Sequence, residues 1–518
     1  MYRIKYCLIS SLFLLLLICR QSLAQNAIPL VRSNPEAEGV FSDSILHFLD
    51  AAAKSKTEFH SFMLLRHGKV IAEGWWNPYL PDLRHTLYSC SKSFTATAVG
   101  LAISEKRLSL NDKVISFFPK DLPDTVSAYL AELTVKDMLM MSDGQEPDPT
   151  GAVAGKSADW IRGFLATPIK HEPGTQFLYN SLGTYMLSAI VQKLTGQKTV
   201  DYLKTRLFDP LGISGMDWET DLKGINTGGW GLRLKTEDMA RFAELFLQKG
   251  NWNGTQVLPA SWVEEASSTK IMQDPNAPQS RKDSSDWLQG YCFQMWRCRH
   301  NAYRGDGAFG QFMIVMPDQD AVMAITAETP SMQEEINLVW TYILPAFQKG
   351  SLPPNPAATN RLKAKIKTLA LPVPAKQDEI LEKKIMGKTY TAAPNPAHLQ
   401  QIGFRFSKGI CQLSLQTDTG TNFQIGFGAG KWQPGETNMP GPSLVAATFE
   451  NTGMLYPAKV AGSYTWKDST TLELVLRYIE SPHTAYYTCH FQGNEVFIET
   501  SRSFDQRRNK VSVKAEVK

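Results

Sequence analysis

Ser89 and Lys92 stand three residues apart in Leu87-Tyr88-Ser89-Cys90-Ser91-Lys92-Ser93-Phe94. At the start of a helix that spacing puts both side chains on one face. A serine hydroxyl becomes a nucleophile only beside a base. Lysine can be that base when it is neutral, so its pKa of about 10.4 must fall toward 7, a bias of roughly 4 kcal/mol. Burial and the positive end of a helix both push that way, and Ala96, Ala98 and Gly100 let the following helix pack tightly. Serine and lysine meet at this spacing often by chance, so a second segment matters. Tyr179 and Ser181 sit in Pro173-Gly-Thr-Gln-Phe-Leu-Tyr-Asn-Ser181, at the mouth of a helix running from Leu182. There a phenol and a hydroxyl can reach a cleft. The plainer reading makes Asn180 or Ser181 an N-cap and Tyr179 a core aromatic. A third segment, Tyr303-Arg304-Gly305-Asp306-Gly307-Ala308-Phe309-Gly310-Gln311, is glycine-rich, as strands are where another backbone approaches closely.

The elements that must hold these residues are legible in outline. Phe62 to Gly74 reads as two strands turning at His67-Gly68. Helical patterns dominate from Leu87 to Phe347, among them Met186–Leu194, stopped by Gly196, and Met239–Leu247. A late pair of strands, Phe309–Met316 and Ala321–Thr326, turns at Pro317–Asp320. Strands frame both ends of a helical middle, so the sheet is antiparallel and built from distant parts of the chain, an α+β arrangement. Prolines 353, 354, 356, 372 and 374 mark residues 351–375 as a linker. Beyond it, alternation at Cys411, Leu413 and Leu415, at Leu472, Leu474, Leu476 and Tyr478, and at Val496 and Ile498 predicts eight to ten short strands. These make residues 376–518 a small antiparallel barrel. Gly426–Lys431 resembles a phosphate loop, but its spacing fails that pattern and it is read as a turn or strand end.

Composition narrows the class. The 518 residues are 43% hydrophobic and 20% charged, with 54 Lys+Arg against 50 Asp+Glu, which is ordinary globular chemistry. Residues 1–24 carry Arg3, Lys5, Arg20 and no acid, so the rest of the chain has a charge of only about +1. That balance makes no case for nucleic acid or an anionic membrane. The same residues, basic and then apolar from Cys7 to Cys19 and ending Ser22-Leu23-Ala24, read as a signal peptide cut near Ala24. The apolar stretch falls short of the roughly 20 residues that span a bilayer, so no stable membrane span is expected after cleavage. The expected location is secreted or periplasmic. Five cysteines then remain, 90, 292, 298, 411 and 489; Cys292–Cys298 and Cys411–Cys489 are open as pairs. No HExxH, HxH or CxxC array occurs, and neither a metal nor another cofactor is called for.

Taken in order, Ser89-x-x-Lys92, Tyr179-x-Ser181 and the Gly-rich strand from Gly305 resemble the serine β-lactamase and penicillin-binding-protein superfamily. Leu133-Thr-Val-Lys-Asp-Met-Leu139 with Met141-Ser142-Asp143-Gly144, and Gly228-Gly-Trp-Gly-Leu232 with Thr236–Phe242, are similar to two further stretches of that group. The likeness covers about residues 30–345 and is nearest to class C β-lactamases, esterases and D,D-peptidases. It implies a β-lactamase-like domain over residues 25–350, with an antiparallel sheet flanked by helices beside a helical domain. The C-terminal barrel is similar to lipocalin-like barrels. The resemblance implies Ser89 as acylated nucleophile, Lys92 as base and Tyr179 as proton shuttle, its phenol lowered by a nearby ammonium. Ser181 would orient Lys92 or substrate, and Ala308 N–H, after Gly307, would join Ser89 N–H in an oxyanion hole worth about 3 kcal/mol per donor. Relatives that bind β-lactams place Lys-Thr-Gly or His-x-Gly where this chain has Asp306-Gly307, with Arg304 a candidate substitute for the lysine. An uncharged carboxylic ester or small amide is therefore the expected substrate. A D-alanyl-D-alanine peptidase, a β-lactamase, and a silent penicillin-recognising binder or sensor are the alternatives.

Overall fold

The computed structural model describes residues 29–375, 382–505 and 510–517; residues 1–24, read from sequence as a signal peptide, lie outside them. Among the described residues no helix is long and apolar enough to cross a membrane. Strands β1 (Glu58–Arg66) and β2 (Lys69–Trp75) form the expected hairpin. His67 and Gly68 take φ of 50° and 71°, the pair of positive values that a tight two-residue turn needs to match strand twist. Strands β3 (Trp296–Arg297), β4 (Tyr303–Gly307), β5 (Gln311–Met316) and β6 (Ala321–Glu328) complete an antiparallel sheet of order β2-β1-β6-β5-β4-β3. The first strands of the domain thus pair with its last, Phe62 opposite Ile325.

The central strands bury apolar residues on both sides because both sheet faces are covered. Phe62, Leu64, Phe312, Ile314, Met323 and Ile325 pack with helix α1 (Ser42–Lys54) through Ile45, Phe48 and Leu49. The alternate residues Met63, Leu65, Met313, Val315, Val322 and Ala324 pack on Met239, Phe242 and Ala243 of another helix. Beyond that second face lies the helical half, centred on α2 (Ser91–Ser104) and α3 (Ser181–Thr195). Every residue of α2 from Ser91 to Ala102 is buried, as its small side chains foretold.

The Pro-rich segment is not a plain linker. Pro356–Lys367 is a helix, started by the Asn355 side chain on Ala358 N–H with Pro356 in the first turn, where its missing N–H costs nothing. It buries Ala358 and Leu362 and packs against α1. Beyond it, nine strands close into a barrel, sealed by a parallel pairing of Gly428 with Ser463, and Gln433–Thr437 pairs alongside. The alternating residues read from sequence line its interior, Leu413, Leu415, Leu472, Leu474, Val496 and Ile498 all buried. Cys411 and Cys489 lie among them as free thiols, and Cys292 and Cys298 are likewise unpaired.

Glu335 is a costly residue beneath the β4–β5 hairpin. It is fully buried, neither carboxyl oxygen has a hydrogen-bond partner among the described residues, and a Cβ on Gly310 would lie 1.9 Å from Oε2. Burial, with the Asp306 charge adding to it, pushes its pKa well above the usual carboxylate value. The folded state therefore keeps a proton that the unfolded chain releases above about pH 4.3, and stability falls as pH rises through that window. Glu335→Gln should gain on wild type as pH rises from 5 toward 7, by at most roughly 1.4 kcal/mol per pH unit. Urea denaturation at both pH values checks this, and parallel curves would refute it.

Candidate active site

Ser89 sits in a turn, Tyr88–Cys90, that runs directly into α2. One helical turn on, Lys92 is 1% exposed, and its Nζ lies 3.2 Å from Ser89 Oγ, 3.0 Å from Ser181 Oγ and 2.7 Å from the Gly229 carbonyl. Burial brings the Lys92 pKa down to about 7, against the opposing pull of the Asp148 and Asp306 charges. At neutral pH a large fraction is thus free amine, held with its lone pair available to Ser89. Gly229 is glycine for a steric reason: a Cβ there would sit 2.7 Å from Ser181 O and 3.3 Å from Lys92 Nζ.

The second segment divides its duties. Asn180 caps α3, its Oδ1 accepting from Gly183 N–H at 3.1 Å, which leaves the Ser181 hydroxyl free to meet Lys92. The stretch Met141–Gly144 supports this loop from below. Leu178 N–H donates to Met141 O at 2.7 Å, and Asn180 N–H to Met141 Sδ at 3.2 Å. Burial also raises Asp143, beside Asn180, to about 7. Tyr179 lies with its ring under Lys92, Nζ 4.9 Å from the centroid, and stacks on Trp296 at 5.8 Å. Its phenol pKa is raised, because burial outweighs the stabilising Ser89 hydrogen bond. This corrects the expected lowering by an ammonium: with its pKa near 7 Lys92 is only partly charged at neutral pH, and desolvation penalises a phenolate. Tyr179 is a phenol at neutral pH.

Strand β4 runs beside the nucleophile turn. A Cβ on Gly307 would fall 2.2 Å from Leu87 O, so only glycine lets the strand come this near, with half-buried Ala308 next. Arg304 does not replace the missing lysine. It and Asp306, two apart on a strand, share a face and pair at 2.8 and 3.0 Å through Nη2 and Nε, while Nη1 donates to Asp286 O and Cys298 Sγ. Both side chains are buried, so the cation is committed and does not face a substrate. Ser89, Lys92, Tyr179 and Ser181 are thus brought together from distant segments, with Gly307 against Leu87 beside them and Ala308 next along the strand. Sequence reasoning missed the Gly229 carbonyl and the role of Cys90, whose thiol donates to Gln311 O at 3.1 Å and ties the nucleophile turn to β5. Trp296 is at the site, stacked on Tyr179, while Trp230 packs on Trp160 in the core.

Comparison with known proteins gives the family of the domain that holds these residues. The family model described as Beta-lactamase matches residues 54–346. The 6-aminohexanoate-dimer hydrolase of Paenarthrobacter ureafaciens is 30% identical over 292 residues, 52% of this chain and 72% of that one. A protein of Escherichia coli K12 named "Putative D-alanyl-D-alanine carboxypeptidase" is 27% identical over 154 residues, 27% of this chain and 36% of that one. Among solved structures, one described as "Putative 6-aminohexanoate-dimer hydrolase from Bacillus anthracis" superposes with a TM-score of 0.53 at 20% identity, over 64% of this chain and 90% of that one. With its matched domain spanning more than half its length, the chain belongs to the Beta-lactamase family of hydrolases.

Proposed function

We propose that the protein is an exported serine hydrolase that forms an acyl-enzyme on Ser89 with a small amide or carboxylic ester. One observation carries this reading: the buried amine of Lys92, with its pKa near 7, lies 3.2 Å from the Ser89 hydroxyl. Lys92 takes the hydroxyl proton as Ser89 Oγ attacks the carbonyl carbon. The developing oxyanion is received by the N–H groups of Ser89 and Ala308, donors fixed before the charge appears. Tyr179 gives its phenolic proton to the departing amine or alkoxide and regains one from Lys92, so Tyr179 and Lys92 work as one coupled pair. In deacylation a water takes the leaving group's place and the proton moves back along the same route. Ser181 and the Gly229 carbonyl keep the amine aimed.

The substrate class follows from β4. With Arg304 spent on Asp306, the strand facing the serine offers no free cation to a substrate carboxylate beside the scissile bond. That favours a neutral flank over the D-alanyl-D-alanine or β-lactam alternatives. The name of the Paenarthrobacter relative, a hydrolase of a 6-aminohexanoate dimer, supports an unstrained amide. Export rests on residues 1–24, and the expected partner is a small molecule rather than nucleic acid.

Intact-mass analysis after exposure to a fluorophosphonate probe tests the reading. Wild type should gain one adduct and Ser89→Ala none, with stability changed by less than about 0.5 kcal/mol, as for sites outside the packed core. A folded wild type that takes no adduct, or a Ser89→Ala protein that still turns over, would end it.

A further inference from the structure

The barrel reaches the catalytic turn through one loop. Residues 479–483 join barrel strands Thr471–Tyr478 and Thr484–Gln492 and lie across the segment leading to Ser89. Thr86 N–H donates to Glu480 O and Tyr79 OH to Ser481 O, both at 2.9 Å. The buried Glu480 carboxylate accepts from Arg84 at 3.0 Å and Arg233 at 3.2 Å. At the end of the loop His483, fully buried, stands between two residues of the catalytic domain. Its Nε2 is 2.6 Å from Tyr88 OH and its Nδ1 is 2.7 Å from Glu328 Oε1. One assignment satisfies every group. Nδ1–H donates to the carboxylate, Nε2 accepts from the phenol, and the phenol oxygen accepts Leu444 N–H at 3.3 Å.

What His483 holds is strained. Tyr88, directly before Ser89, has φ of +46°, and Phe309, directly after Ala308, has φ of +67°. Bulky residues seldom adopt this region, and each such residue costs on the order of 1–3 kcal/mol unless its surroundings impose it. Those surroundings come largely from the barrel. His483 meets the Phe309 ring edge-on at 4.7 Å, and Phe504 lies 5.2 Å from Phe309 and 4.4 Å from His483. Tyr88 and Phe309 are themselves 5.7 Å apart. Two barrel rings thus press on two strained aromatics that flank the nucleophile and the proposed oxyanion donor.

We infer that His483 is a positioning residue of the hydrolase site: supported by Glu328, it grips the Tyr88 phenol and fixes the backbone that presents Ser89. The inference rests on the reading of Ser89 as nucleophile. It gives the C-terminal domain a share in catalysis that mere adhesion between domains would not.

Three full-length variants decide it. Tyr88→Phe deletes one oxygen and keeps the ring; His483→Ala removes the grip; Glu480→Gln weakens the same loop without touching Tyr88. Fluorophosphonate labelling kinetics should show kinact down tenfold or more in Tyr88→Phe and His483→Ala with KI within twofold, and both near wild type in Glu480→Gln. Hydrogen exchange at residues 87–90 should quicken in the first two variants and not in the third. Tyr88→Phe labelling at the wild-type rate with unchanged exchange would overturn the inference even if His483→Ala failed to fold. A wild type that takes no probe would instead sink the nucleophile reading, and exchange at residues 87–90 in Tyr88→Phe then decides the grip by itself.

Discussion

Lys92→Met should lower kcat/KM by about 10³- to 10⁴-fold, the upper range for loss of a positioned general base, and at the same time make the protein more stable at pH 7. The two effects share a cause. In the unfolded chain Lys92 is protonated below about pH 10.4, whereas the folded site brings its pKa down to about 7 by burial. Between those values the unfolded state binds more protons, so this residue's contribution to stability rises with pH, and its full cost is felt at pH 7 and below. At roughly 1.4 kcal/mol per pKa unit that cost is on the order of 5 kcal/mol. Methionine has a similar reach without the charge, although it leaves the Gly229 carbonyl unpaired, which returns about 1–3 kcal/mol. A net gain of about 2 kcal/mol or more is expected by urea denaturation at pH 7, shrinking toward pH 10. For wild type, kcat/KM should drop tenfold per pH unit below about 7 as the amine is protonated. A variant retaining wild-type acylation would show that another base serves Ser89, and a flat profile down to pH 5 would exclude a titrating lysine.

Arg304→Met should destabilise the fold by about 3–5 kcal/mol, the usual cost of removing one partner from a buried ion pair. Arg304 and Asp306 are fully and nearly fully buried. Burial holds the Asp306 pKa above its ordinary value even with the guanidinium against it, so without Arg304 that carboxyl must take a proton or stand unpaired. The double substitution Arg304→Met with Asp306→Leu replaces the pair by apolar volume and should recover most of the loss, since such exchanges are often neutral. Thermal and urea unfolding of both single variants and the double complete the cycle. Additive losses, with no recovery in the double, would show that the two residues act independently.

The linear pattern carried much of this. The Ser89 to Lys92 spacing and the His67-Gly68 turn are local features. So is the alternation that makes the barrel. Each depends on neighbours within a few residues, where helix and strand periods and cap preferences act. Residues 356–367 were less legible, because five prolines obscured a helix whose apolar face is explained only by its docking on α1.

Proton affinities lay beyond any local pattern. Lys92 near 7 and the raised pKa values of Tyr179 and Glu335 all follow from how completely distant segments exclude water, and desolvation has no signature in sequence spacing. Partner choice was equally hidden. Arg304 could be read as a substrate contact until the strand turned it toward Asp306, and Cys90 had no role until β5 came alongside. Tyr88 and His483 are 395 residues apart. By itself the sequence determined which groups can react and which elements carry them. The tertiary structure decided their charge states, their partners and the barrel's place at the nucleophile, because burial and contact are properties of the packed chain.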